Sequence, residues 1–417
     1  MFRRMSAVDD HSIKIMKKEL IERKWLVLIG STLVLMSLFG VVNNSYQLYI
    51  IPVCDDLGFS RTSYTFTQSI CYFGAMISAV LSVGVFRRFG VLRTLRISVI
   101  LLMVLYCCNS LVSSLPMFYL IGFAEGLLMS LSCMVPATML LKQWFADKLG
   151  FALGLAAMGS GLGGLVFAQV AKLVLLRSDW RHLYLILGLM MGAISILSAF
   201  LLLKENPDAK PQRHAETVKQ GTGDASAPVP VLATVLIFIC VIIHSNGNNA
   251  MLYTTTPFVQ DEGYTLQFAA NLSSITMGMF AIGKVLTGNY IDKLGMRIPT
   301  MLSFIAITVG NLGMALLPKL GMPMFGLMVL GVMIGCPFNS VGVGLMSRYT
   351  VPEVYRDRAT GIYISSVNFG CALSPIISSA VYDNIGSYVP MYYAMAAAVF
   401  ISMFVMMRCI PKNRSGA

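Results

Sequence analysis

Residues 43–60, NNSYQLYIIPVCDDLGFS, have a counterpart 205 positions later in residues 248–265, NNAMLYTTTPFVQDEGYT. Asn43 and Asn44 pair with Asn248 and Asn249, Pro52 with Pro257, and Gly58, Phe59 and Ser60 with Gly263, Tyr264 and Thr265. Gly90 and Gly295 keep the same offset of 205, while Ala152, Gly154 and Gly163 match Ala359, Gly361 and Gly370 at 207, a drift that short loop insertions produce. A constant offset across several segments marks an internal duplication. The chain therefore reads as two related halves.

Each paired stretch lies at the end of an apolar run, and the runs define what is duplicated. Runs of spanning length occur near 25–53, 63–85, 92–113, 117–142, 149–174 and 182–203, and again near 230–257, 267–289, 298–317, 322–347, 359–382 and 387–410. A bilayer-crossing helix needs about 20 mostly apolar residues. The expected fold is an all-α membrane protein of 12 transmembrane helices in two pseudo-symmetric six-helix bundles. Its expected parts are a tail at 1–24, a first bundle at 25–203, a polar linker at 204–229, a second bundle at 230–410 and a tail at 411–417.

Composition agrees. Of 417 residues, 56% are hydrophobic and 12% charged, and the mean hydropathy is +0.74. A soluble domain carries roughly 25% charge, so a soluble enzyme, a secreted disulfide scaffold and a disordered chain are excluded. The net charge of +12 is distributed by side: 25 of the 31 Lys and Arg fall in the tails, the linker and one set of loops. That is the positive-inside pattern, which places both termini in the cytoplasm and reads as a multi-pass cell-membrane protein, bacterial by expectation. A nucleic-acid partner would instead need a basic patch on one face of a domain. The nine cysteines form no C-x-x-C pair, and the four histidines (11, 182, 214 and 244) are scattered. No metal site, no cofactor and no enzyme activity are expected, and no G-x-x-x-x-G-K-[ST] phosphate loop is present.

Three connections carry motifs. Gly288, Asp292, Lys293, Gly295 and Arg297 stand at the spacing G-x-x-x-D-K-x-G-x-R between the eighth and ninth spans. This resembles the loop signature of the major facilitator superfamily, G-x-x-x-D-[RK]-x-G-x-[RK], and implies a gating loop. The first-half equivalent departs from it, with Arg87 at the acidic position. Trp144, Phe145, Lys148, Gly150, Ala152 and Gly154, followed by Gly159, Ser160 and Gly161 and then Trp180 and Arg181, resemble the monocarboxylate transporter and oxalate:formate antiporter branch. So do Ser45 to Tyr49 with Pro52, and Leu57 to Arg61. Gly159, Gly161 and Gly164 also satisfy G-x-G-x-x-G, but they lie inside an apolar helix rather than a βαβ unit, and close helix packing accounts for them better.

The resemblance implies secondary active transport of a small organic anion, a monocarboxylate foremost, by proton symport or anion exchange. The two halves would rock about a midplane site, in a monomer. It also implies that a cation on the eighth helix meets the substrate carboxylate, a place held here by Lys284. By residue chemistry alone Lys284 already stands out. It lies eight residues, about 12 Å, from Asp292 along a helix, and a cation at that depth costs at least ~2.5 kcal/mol unless paired or hydrated. Oxalate-type members carry a second cation on the eleventh helix, where this chain has Val367 among Ser365, Ser366 and Asn368; one cation favours a monoanion. Polar side chains in apolar spans complete the candidate substrate-binding set: Asn44, Tyr49, Asn249, Tyr253, Asn339 and Ser366. Glu125 and His244 are proton-coupling candidates. The alternatives are a carrier of a bulkier or neutral metabolite, with Lys284 in an internal pair, and a non-transporting sensor of the same fold.

Overall fold

The computed structural model describes residues 23–145, 149–206, 231–352 and 356–410. Nearly all of the expected first tail, the last tail and the linker from residue 207 lie outside the described residues. Among the described residues there is no strand.

The helices follow the apolar runs. α1 spans Arg23–Leu48 and resumes as Ile50–Leu57; α2 is Arg61–Phe89, α3 Val91–Cys108, α4 Leu115–Trp144, α5 Leu149–Leu175 and α6 Trp180–Leu202. In the second half α7 is Val231–Asp261, α8 Leu266–Leu294, α9 Arg297–Leu320, α10 Pro323–Ser347, α11 Arg356–Ile385 and α12 Val389–Cys409. Among the described residues, 11 helices are long and apolar enough to cross a membrane. The remaining one, α2, has 29 residues and so a length of about 43 Å.

Exposure is inverted relative to a soluble protein. Leu120, Leu232 and Ile401 are exposed on the outside, while Ser37, Ser69, Thr256, Asn311 and His244 are buried. Lipid solvates the apolar exterior, and buried polar groups turn to partners within, as Ser37, the Asn311 amide nitrogen and His244 do, whereas the Ser69 and Thr256 hydroxyls have none among the described residues.

One buried apolar cluster draws on Val27 to Leu203 and the other on Ile237 to Ile410; Tyr253 and Ala270 of the second half pack into the first. The halves meet chiefly along α5 with α8 and α2 with α11. Because the duplication relates α2 to α8 and α5 to α11, these are two copies of one crossing.

The repeat residues prove to be turn and cap residues. Gly58 and Gly263 both have positive φ, 67° and 87°, and so do Gly90 and Gly295, 84° and 71°. A side chain would strain each turn by roughly 1–2 kcal/mol. Ser60 caps α2 by accepting from the Ser63 amide, and its mate Thr265 caps α8 from the Phe268 amide. The two prolines differ in effect. Pro52 sits in the first turn of Ile50–Leu57, after a π-helical stretch at Phe39–Asn44 and a 3₁₀ turn at Tyr46–Leu48. Pro257 lies within an unbroken α7, where the Thr256 amide donates to Gln47 Oε1 of the other half at 3.2 Å.

Candidate functional site

The site is built where α1, α5 and α8 converge. Small residues in α5 allow the approach. A side chain at Gly163 would lie 2.0 Å from the Met36 carbonyl oxygen, and one at Gly159 2.4 Å from that of Thr32. Met36 and Thr32 are four apart on α1, as the glycines are on α5, so two ridges lie in register. Gly161 and Gly164 turn to α8 instead, where a Cβ would come within 2.8 Å of Ala281 and Met277 backbone atoms and 2.6 Å of the Met277 side chain, respectively. The G-x-G-x-x-G stretch is thus a packing surface with two faces, as its apolar setting implied.

Across this crossing Lys284 reaches from α8 to α5. Its Nζ donates to Ser160 Oγ at 2.6 Å and to the Ala157 carbonyl at 3.2 Å, and lies 4.1 Å from the centre of the Phe280 ring. The residue is 5% exposed. Both oxygen partners are neutral, and among the described residues the ion pairs are Arg61 with Asp261, Arg181 with Asp56 and His182 with Asp179. Asn44, in the π-helical stretch of α1, donates through Nδ2 to the Ser160 carbonyl at 2.7 Å. Asn44, Ser160 and Lys284 therefore form one polar junction of three helices.

Among the described residues, the other candidates on α7 and α10 have no hydrogen bond to this junction. Tyr253 of α7 is hydrogen-bonded to Tyr72 of α2, and Gln68 of α2 donates to Asn43 at 3.0 Å. Asn249 donates to the Ser245 carbonyl and to Cys371 Sγ, both at 2.9 Å, while its neighbour Asn248 receives the Cys336 thiol. Asn339, in a π-helical turn at Phe338–Gly342, pairs its Oδ1 with His244 Nδ1 at 2.9 Å and Ser245 Oγ at 3.2 Å. His244 Nε2 lies 2.8 Å from Ser303 Oγ, which also reaches the Gly335 carbonyl at 2.9 Å. Ser303 has a single proton. It can donate to His244 Nε2 or to the Gly335 carbonyl, and which of the two it serves goes with the tautomer of the imidazole.

Three candidates lie elsewhere. Tyr49 is buried inside the first half, stacked on Tyr184 at 4.1 Å and accepting from Tyr106 at 3.1 Å. Glu125 is buried and accepts from Asn109 Nδ2 at 2.8 Å, at the end of α3. Ser366 donates to the carbonyl of Tyr363 on its own helix at 2.6 Å. In the loop motif, Lys293 closes the last turn of α8, Gly295 makes the turn, and Arg297 Nη1 lies 3.4 Å from the Ile410 carbonyl. Gly288 faces Val341 with space to spare. The side chain of Asp292 lies outside the described residues.

Sequence reasoning overlooked Gln47, whose Nε2 donates to Ser273 of α8 at 2.7 Å while its Oε1 serves α7. A signal existed, since the residue 205 positions on is Leu252, an apolar mate for a polar residue. It also overlooked the partnership at the end of the molecule remote from Asp292. There Arg61 forks onto Asp261 at 2.6 and 2.8 Å, donates to Tyr388 at 3.1 Å and lies over the Tyr382 ring at 3.8 Å. The Thr62 amide donates to Asp383 at 2.9 Å beside it. An apolar groove of about 360 Å³ between α5 and α8, lined by Met158, Leu162, Leu165, Ile275, Ala281 and Ile282, offers no polar group to an anion.

Comparison with known proteins fits this geometry. A model of the Major Facilitator Superfamily matches residues 27–349. The chain is similar to an uncharacterized transporter, ESBP6, of Saccharomyces cerevisiae, with 28% identity over 262 residues that cover 60% of this chain and 38% of that one. It is also similar to the oxalate:formate antiporter of Oxalobacter formigenes, with 29% identity over 191 residues, 44% of this chain and 43% of that one. The matched stretches thus span less than half the length of these two relatives. Among solved structures, that of a D-xylose-proton symporter superposes with a TM-score of 0.78 at 15% identity, covering 94% of this chain and 99% of that one. It shows the same fold.

Proposed function

The chain belongs to the Major Facilitator Superfamily, and from that premise we propose that it is a secondary active carrier of a small organic anion, a monocarboxylate foremost, bound at Lys284. One observation carries the reading: a buried ammonium bridges the two halves and is held there by neutral acceptors. A carboxylate at that point supplies the charge that the protein does not. The duplication adds a second support. The residue 205 positions before Lys284 is Ala79, and the residue 207 after Ser160 is Val367. Of the two symmetry-related crossings, one carries a cation and the other, at the matching positions, carries none, which suits a single negative charge. The similarity to an oxalate:formate antiporter is consistent with this choice.

Transport would proceed by rocking of the halves about this point, with the Lys- and Arg-rich loops on the cytoplasmic side. Glu125 and His244 are the proton-coupling candidates: Glu125 is buried and accepts from Asn109, and His244 is held between Asn339 and Ser303. The test is uptake of radiolabelled formate, lactate, pyruvate and oxalate into proteoliposomes, with and without an imposed pH gradient. Saturable uptake driven by an inward proton gradient supports symport. Uptake that ignores the gradient and requires an internal anion supports exchange and removes the proton roles of His244 and Glu125. Uptake of none of the four refutes the anion reading.

The Ser160 and Ala157 bonds favour one second reading, in which Lys284 is an internal staple in a carrier of a bulkier or neutral metabolite. A thermal-shift screen of uncharged metabolites against organic acids separates the two, since only the first reading requires stabilisation by acids.

A further inference from the structure

Lys284 reaches its two oxygen partners only by crossing from one half to the other. Ser160 Oγ, at 2.6 Å, is the shorter contact, and Ser160 is itself fixed: its carbonyl accepts from Asn44 and its hydroxyl lies 3.0 Å from the Ala157 carbonyl. The helices that carry the pair touch through Gly161 and Gly164, so there is no slack to be taken up by longer side chains. An ammonium has three donors, and in the conformation described here two point into α5 and the ring of Phe280 lies under the group.

We propose that Ser160 is a positioning residue that competes with the substrate's carboxylate for Lys284, so that binding an anion weakens the α5–α8 bridge. The inference rests on the anion reading above and goes beyond it by naming what the anion displaces. An oxygen of a small carboxylate and the hydroxyl oxygen of Ser160 are alternative acceptors for the same proton of Nζ. The carboxylate is charged and forms the stronger bond. When it takes the proton, α8 loses the Lys284–Ser160 tie to α5, and the crossing is loosened at that point, while Gln169 and Lys172 of α5 still bond Asn271 and Ser274 nearer the start of α8. Binding energy is thereby spent partly on releasing an inter-half contact, which is the differential interaction a ligand needs to shift a two-state equilibrium. The symmetry-related positions, Ala79 and Val367, have no polar group to form such a tie. Release at one crossing alone makes the movement asymmetric.

The measurement is the Kd of formate and of lactate for the purified full-length chain, by calorimetry, in wild type, Ser160→Ala and Ser160→Cys. Removing the competing hydroxyl tightens both carboxylates in Ser160→Ala by roughly threefold to tenfold, the scale of one hydrogen bond to a charged group. Ser160→Cys, a weaker acceptor of nearly equal size, falls between Ser160→Ala and wild type, and it decides the matter if Ser160→Ala does not fold. A purely structural role for Ser160 would lower thermal stability and leave Kd unmoved. Unchanged Kd in both variants, or weaker binding, overturns the inference; weaker binding would make Ser160 a direct ligand of the anion. Failure of the wild type to bind either probe overturns the anion reading and this inference together, and is told apart from the first failure by the wild-type titration alone.

Discussion

At Gly163 a single hydrogen separates a fold that closes from one that does not. The Cβ of any other residue would sit 2.0 Å from the Met36 carbonyl, a backbone atom that cannot move without moving α1. Gly163→Val is expected to lower the melting temperature sharply, at a cost of about 3 kcal/mol or more, above the usual range for overpacking because the clash is with main chain. Gly154, ten residues or less from the same crossing, meets nothing within 4 Å. Gly154→Ala is expected to be neutral or to stabilise by about 0.5–1 kcal/mol through helix propensity. Thermal unfolding of the two variants in detergent, with loss in one and not the other, checks the pair. The sequence made these glycines legible as packing residues, since they recur four apart in an apolar run. It did not separate those that face α1 from those that face α8. That division depends on which helices flank α5, a matter of tertiary arrangement.

Elements carry the next level of the argument. α6 begins at Asp179, whose side chain accepts from the His182 amide and stands 2.7 Å from the His182 ring. Those contacts, the backbone amide first, hold the Asp179 carboxyl below the usual carboxylate range. A depressed folded-state value means that the cap contributes stability at neutral pH and loses it as pH falls through the carboxylate range. Asp179→Ala is expected to cost about 1 kcal/mol, the scale of a helix N-cap, and to flatten the acid limb of a melting-temperature profile taken between pH 3 and 7. In α1, the π-helical stretch places Asn44 against Ser160 of α5, and the 3₁₀ turn brings Gln47 to face the second half. Gln47→Leu, which installs the residue found at the repeat mate, leaves the Thr256 amide without its partner. A loss of about 1–3 kcal/mol is expected, the cost of one unsatisfied buried donor; unchanged stability would show that the inter-half bond is replaceable. The spans themselves were legible from hydropathy, and the caps from the repeat. The irregular turns of α1 and α10 were not, because no residue type marks a π-helix.

At the scale of the whole molecule, the duplication and the sidedness of charge were in the sequence, and so was Lys284 as a misplaced cation. What was missing were the partners. Ser160 is 124 residues from Lys284, Asp261 is 200 from Arg61, and Ser273 is 226 from Gln47. Contacts at such separations cross the duplication and leave no local pattern. Conversely, Glu125 and Tyr49 were legible as polar groups in apolar runs, yet whether such a group faces the axis or its own bundle is decided by packing. The bidentate pair of Arg61 and Asp261 joins the halves at the end away from Asp292, where Tyr388 and Tyr382 also grip the guanidinium. The rocking proposed for transport would have to break it. Arg61→Ala and Asp261→Ala are each expected to raise the labelling rate of a cysteine introduced at Thr62 several-fold, and the double exchange Arg61→Asp with Asp261→Arg is expected to bring it back toward wild type. Equal labelling in all four proteins would deny the pair any part in closing that end.

The central claim is that the ammonium of Lys284 binds the carboxylate of the cargo. Its most direct test is saturable uptake of radiolabelled formate and lactate into proteoliposomes by wild type and by Lys284→Ala, each reconstituted at equal density and confirmed folded. Loss of two or three charge-assisted hydrogen bonds is expected to reduce uptake efficiency by about a hundredfold or more, with the protein still folded. Full carboxylate uptake by Lys284→Ala would contradict the claim.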